Sequence, residues 1–220
     1  MGEWIELQAD DGHRFDCYFV NSDTKRGGIV VIQEIFGVNA HIRSVAEGFA
    51  AQGYSVAAPA LFDRIERKVM LDYTAEAVTK GRKLRLELGW EKPILDLKAA
   101  VTMLAQHGKV ATIGYCWGGS LAWLSASKLD IACAVGYYGG QIVQLLDKKP
   151  TRPIMLHFGE KDELIPMSDV DKIRNACPDA EIYIYGAGHG FNCDQRADYD
   201  AECSKLALQR TLDFLAKHLR

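Results

Sequence analysis

The sequence predicts an α/β domain built on a doubly wound, mostly parallel sheet, and three observations carry that expectation. Short, continuous apolar runs alternate with stretches whose apolar residues recur at helical spacing. The residue types that carry chemistry fall just after the apolar runs, where ligands bind in such sheets. The 220 residues are 48% hydrophobic, enough to bury a full core without disulfides or metals as staples. We expect residues 1–220 to form one domain.

Taken in order, Trp4 to Gln8 and Phe15 to Val20 read as two strands, with Asp10-Asp11-Gly12 as the turn between them. The chain therefore opens antiparallel. Gly28 to Gln33 (GIVVIQ) is apolar throughout, as a parallel strand covered on both faces must be. A helix from about His41 to Gln52 is stopped by Gly53, and the strand Tyr54 to Ala58 ends at Pro59. Residues 60–90 are the least regular part, mixing the charges of Asp63, Arg64, Glu66, Arg67 and Lys68 with helix. Ile94, Leu97, Val101 and Leu104 form a helical stripe over Pro93 to Gln106. The strand Val110 to Tyr115 leads into a helix running to about Ser127. Ile131 to Tyr137 and Pro153 to Phe158 are two more buried strands, and Ser168 to Ala176 is helical. Glu181 to Tyr185 is the last strand, and a helix from about Ala197 to His218 closes the chain.

Composition excludes some classes of function. A net charge of −3 gives no reason to expect nucleic acid or an anionic membrane as partner. No apolar run is long enough to span a bilayer. The six cysteines (Cys17, Cys116, Cys133, Cys177, Cys193, Cys203) are scattered, and the N-terminus lacks the basic and apolar regions of an export signal. Reduced thiols, a cytoplasmic location and a monomer are the expectation. No Cys/His group has metal-ligand spacing, so neither a metal nor an organic cofactor is expected. His13, His41, His107, His157 and His218 carry no assigned role.

The chemistry centres on Gly114-Tyr115-Cys116-Trp117-Gly118. This is the glycine-x-nucleophile-x-glycine spacing of a nucleophile elbow, with Cys where Ser usually stands. A strand that turns straight into a helix strains its central residue and brings the two elements so close that only glycine fits on either side. The side chain is left above a helix N-terminus, whose partial positive charge favours a thiolate. The plainer reading of Cys116 is a buried thiol in a glycine-rich turn.

Two further residues follow strands. Asp162 stands in Gly159-Glu160-Lys161-Asp162, and His189 in Gly186-Ala187-Gly188-His189-Gly190. The chain order Cys116, Asp162, His189 is the nucleophile–acid–base order of an α/β-hydrolase. His189 would take the thiol proton and return it to the leaving group, and Asp162 would orient the imidazole. Asp162 also suits a turn or helix cap, and Glu160 and Glu163 are rivals for the acid role. The oxyanion donors expected are the backbone N–H groups of Trp117 and Ile35. Phe36, Tyr137 and Phe191 are expected to bind substrate, and with Trp117 they would line the small pocket of a general carboxylesterase or thioesterase.

With Gln33-Glu34-Ile35-Phe36-Gly37, Gly114-Tyr115-Cys116-Trp117-Gly118-Gly119, Gly136-Tyr137-Tyr138-Gly139 and Ala187-Gly188-His189-Gly190-Phe191 in view, the chain resembles the dienelactone hydrolase (carboxymethylenebutenolidase) family from about Asp10 to the final helix. The resemblance implies a Cys116–Asp162–His189 triad that opens the enol-lactone ring of dienelactone to maleylacetate through a thioester. It also implies that Glu34 engages the resting thiol. Family members hold the substrate carboxylate with arginines, one shortly after the catalytic histidine. Here Gly190, Phe191, Asn192 and Cys193 follow His189, and Arg196 comes only later. Arg64, Arg82 and Arg85 are candidates for a second arginine. The alternatives are a general carboxylesterase or thioesterase, a ligand-binding protein of the same fold without catalysis, and a redox-sensing thiol at Cys116.

Overall fold

Eight strands form a single sheet in the computed structural model, which describes residues 2–24 and 26–220. The strands are β1 (Glu3–Gln8), β2 (Arg14–Val20), β3 (Gly28–Ile32), β4 (Ser55–Pro59), β5 (Val110–Tyr115), β6 (Cys133–Tyr137), β7 (Ile154–Gly159) and β8 (Glu181–Tyr185). Their spatial order is β1-β2-β4-β3-β5-β6-β7-β8. β2 runs antiparallel to both β1 and β4, and every other pair is parallel. The doubly wound, mostly parallel sheet expected from the alternation of runs is what forms.

Among the described residues six α-helices flank the strands: α1 (Ala40–Ala51), α2 (Ala75–Leu88), α3 (Glu91–Leu104), α4 (Trp117–Lys128), α5 (Met167–Ala176) and, after the last strand, α6 (Ala201–His218). Every residue of β3, β4, β5, β6 and β7 is buried, which is why these runs contain almost no polar residue. Among the described residues no helix is long and apolar enough to cross a membrane.

Two segments differ from the sequence reading. The irregular stretch contains a regular 14-residue helix, α2, whose N-cap Thr74 accepts a hydrogen bond from the Ala77 N–H. Only Ala77, Gly81, Leu84 and Leu88 of α2 are buried, so the narrow apolar stripe is hidden among charges. The last helix starts at Ala201 instead of Ala197, because Asp200 caps it by accepting from the Cys203 N–H at 2.9 Å. Residues 197–200 belong instead to the loop between β8 and α6.

Candidate active site

β5 runs directly into α4, and Cys116 is the single residue between them. Its backbone lies at φ 54° and ψ −113°, a conformation that L residues rarely adopt. The surrounding glycines let two elements pass in contact. A Cβ on Gly114 would sit 1.8 Å from the Gly118 carbonyl oxygen, and one on Gly118 would sit 2.4 Å from that of Ile32. The Cys116 N–H donates to the Tyr137 carbonyl at 3.0 Å, which ties the elbow to β6.

The three residues that follow β5, β7 and β8 converge. His189 Nε2 lies 3.2 Å from Cys116 Sγ, and His189 Nδ1 lies 2.7 Å from Asp162 Oδ2. Asp162 is buried while Glu160 and Glu163 are exposed, so the acid at the imidazole is Asp162. The turn reading of Asp162 also holds, since its other oxygen accepts from the Leu164 N–H at 2.8 Å. Burial is the largest influence on His189 and pushes its pKa down. The sulfur of Cys116 and the carboxylate of Asp162 together outweigh burial and hold it up at about 10. The arrangement thus favours an imidazolium beside the sulfur.

The loop after β3 supplies the facing wall. Glu34 is fully buried, with Oε1 3.5 Å from Arg196 Nη1 and Oε2 accepting from the Tyr73 hydroxyl at 3.4 Å. No hydrogen bond joins Glu34 to Cys116 among the described residues. The thiol faces His189, and Glu34 faces a cation, unlike the resting contact that the resemblance implies. Trp117 is the first residue of α4, so its N–H has no acceptor within the helix. The Ile35 backbone is held in place by α2, where a Cβ on Gly81 would come 2.1 Å from the Ile35 carbonyl oxygen.

That packing carries α2 over the site. Ile35, Phe36, Val78, Arg82, Arg85, Cys116, Gly140, Gln141, Leu164, His189 and Arg196 surround a cavity of about 170 Å³. A cavity of roughly 150 Å³ accommodates benzene, so the space suits a single substituted ring. Phe36 and Arg82 are where the sequence reading expects them. Among the described residues neither Arg82 nor Arg85 makes an ion pair. Arg196, further from His189 in sequence than the resemblance implies for an arginine, reaches the cavity where Gly190, at φ 82°, leaves room for it. A Cβ there would meet Arg196 Nη1 at 2.7 Å.

Four expectations are corrected. Tyr137 does not line the cavity. It is fully buried, its hydroxyl 2.8 Å from Thr211 Oγ1 and its ring stacked on Tyr115 at 4.7 Å. Phe191 is likewise interior, packed on Tyr185 with ring centroids 5.0 Å apart. The Trp117 side chain stacks on Phe62 at 5.4 Å, leaving only its backbone at the site. Arg64 is structural: it spans Asp96 and Asp11, each at 2.7 Å, away from the cavity. Tyr138 stands beside His189 and is not among the site residues that the sequence predicts. Its ring lies 5.2 Å from that of His189, and its buried hydroxyl has no partner. The Gly136-Tyr137-Tyr138-Gly139 run carries the signal for a tyrosine at the site, but alternation along the chain does not say which of the two faces it.

Comparisons with known proteins give the family and the fold. The chain matches the family model described as "Dienelactone hydrolase family" over residues 15–219. It is 37% identical to a carboxymethylenebutenolidase of Pseudomonas putida, over 98% of this chain and 97% of that protein. A carboxymethylenebutenolidase of Pseudomonas sp. strain P51 is 31% identical, over 99% and 96% of the two chains. Among solved structures, a Klebsiella pneumoniae protein classed as a dienelactone hydrolase superposes with a TM-score of 0.85 at 27% identity, covering 98% of each chain. An esterase of Pyrococcus furiosus shares the fold at a TM-score of 0.73 and 18% identity, over 100% of this chain and 94% of that one. The α/β-hydrolase fold and the family follow together: this chain is a hydrolase belonging to the dienelactone hydrolase family.

Proposed function

We propose that the chain hydrolyses small esters and lactones that carry a carboxylate, using Cys116 as nucleophile, His189 as proton carrier and Asp162 as its orienting acid. The observation that carries this reading is the continuous line from Asp162 through His189 to Cys116, at 2.7 and 3.2 Å, opening on an arginine-lined cavity. The sulfur attacks the acyl carbon, and the resulting oxyanion is met by the N–H groups of Trp117 and Ile35. Collapse breaks the carbon–oxygen bond, and the His189 imidazolium protonates the departing oxygen. The now neutral imidazole takes a proton from water, whose oxygen attacks the thioester. The acid is released and the sulfur departs with its electron pair. Thiols suit leaving groups such as enolates, which depart readily.

The carboxylate preference rests on Arg82, Arg85 and Arg196. Each presents planar, fixed N–H donors suited to a carboxylate. Arg196 is shared with Glu34, so a substrate carboxylate and Glu34 compete for it. The carboxymethylenebutenolide for which the Pseudomonas relatives are named has both the ring ester and the carboxylate that this cavity accommodates.

The test is hydrolysis of cis- and trans-dienelactone, followed by ultraviolet absorbance, with an aryl acetate as control and Cys116→Ala alongside. Rapid loss of the lactone by wild type and none by the variant is the expected result. Cleavage of the aryl ester alone would keep the triad and remove the substrate assignment. Undiminished turnover by Cys116→Ala would end the nucleophile assignment.

A further inference from the structure

Behind the cavity wall, Glu34, His41 and Cys193 bring a carboxylate oxygen, an imidazole nitrogen and a sulfur within 4.8 Å of one another, all three residues buried. They come from three separate places: the loop after β3, the first turn of α1, and the loop after His189. Two of the polar atoms are unaccounted for. Among the described residues Glu34 Oε1 and His41 Nε2 are both buried without a hydrogen-bond partner, an arrangement that folded proteins normally avoid. Arg196 lies 3.5 Å from Glu34 Oε1 but makes no hydrogen bond to it, so that oxygen keeps its capacity to accept.

We infer that these three side chains form a binding site for a transition-metal dication of the zinc class. The donor set decides the class. One sulfur, one imidazole nitrogen and one carboxylate oxygen suit Zn²⁺ or Co²⁺, whereas Mg²⁺ and Ca²⁺ demand oxygen throughout. Three protein ligands leave the fourth tetrahedral position to water. Bond lengths of about 2.0–2.3 Å put neighbouring ligand atoms roughly 3.5 Å apart, so the side chains close by about 1 Å on binding. The outer shell is also in place: His41 Nδ1 lies 3.6 Å from the carboxylate of Asp194, which is 66% exposed. At that distance the carboxylate makes no hydrogen bond to the ring as it stands, but it is close enough to receive the Nδ1 proton once the side chains close on the ion, and its exposure marks the side that faces solvent. Binding displaces the Cys193 thiol proton to solvent and draws Glu34 away from Arg196. The metal site and the cavity therefore compete for one glutamate.

The experiment uses the full-length protein, reduced, stripped of metal with a chelator and titrated with Co²⁺. Wild type should develop an ultraviolet sulfur-to-cobalt band and intense visible bands of a tetrahedral ion, saturating at one equivalent and erased by Zn²⁺. Cys116→Ser should keep these bands, and Cys193→Ser should lose the ultraviolet one. Asp194→Asn should bind about 10–100-fold more weakly, and His41→Gln more weakly still. Circular dichroism verifies folding of each variant, and a rise in Tm with Zn²⁺ that is absent in His41→Gln gives the same answer without the Cys193 substitution. Absence of the bands in wild type would overturn the site. So would bands lost in Cys116→Ser but kept in Cys193→Ser, since the metal would then sit on the Cys116–His189 pair.

Discussion

Two buried histidines at the same end of the sheet have nearly the same geometry and opposite chemistry. His157, in β7, has Nδ1 2.7 Å from the Tyr185 hydroxyl and Nε2 3.1 Å from Thr211 Oγ1. His189 has Nδ1 2.7 Å from Asp162 and Nε2 3.2 Å from Cys116. Burial pushes both pKa values down. For His157 nothing opposes it, Arg210 adds to it, and the value falls to about 3. For His189 the carboxylate and the sulfur reverse it to about 10. Distance and burial do not decide which of the two histidines carries charge; the ionisable character of the partners does.

Removing the charge from one partner should therefore collapse the difference. Asp162→Asn is expected to lower turnover by about 10⁴-fold, since the imidazole loses both its tautomer and its counter-charge. It should also lower the His189 titration seen by NMR. A loss below tenfold would take Asp162 out of the chemistry. On the substrate side, Arg82→Gln should reduce kcat/KM for a carboxylate-bearing lactone roughly 10–100-fold, the worth of a charged hydrogen bond, and leave a neutral aryl ester unaffected. Equal losses on both substrates would make Arg82 a structural residue.

The pH dependence of stability should carry opposite signs for the two residues. Between about 3 and the ordinary 6.5, unfolded His157 binds a proton that the native residue refuses, so its contribution falls as the pH drops through that window. Charged His189 contributes fully below 6.5, and that contribution is lost as the pH rises through about 10. Urea melts across both windows measure this, and wild-type stability that did not fall between pH 7 and 10 would contradict the His189 assignment. The smallest effect is expected from Tyr185→Phe. It leaves His157 Nδ1 unpaired at a cost of about 1–3 kcal/mol in the unfolding free energy from urea melts, with kcat unchanged.

The contrast between readable and unreadable residues runs along the same line. Gly114, Gly118 and Cys116 are legible because the steric demand that selects them acts within five residues. Asp162 and His189 are legible because strand ends in a parallel sheet all open on one edge. The arginines were not. Arg64 and Arg82 look alike in sequence, yet one is fixed between Asp11 and Asp96 and the other lines the cavity. Tyr137 and Phe191 likewise sit beside the right glycines and point into the core.

The sequence by itself determined the alternation of strands and helices, the strained elbow at Cys116, and the order in which Cys116, Asp162 and His189 leave the sheet. These follow from short-range sterics and from apolar periodicity, which any stretch of chain expresses alone. Only the tertiary structure decided that α2 lies against Ile35, that Arg196 folds back over Gly190 to Glu34, and that Glu34 meets His41 and Cys193. A charge or a ligand atom has no meaning until its partner is across from it, and those partners are set by how distant elements pack.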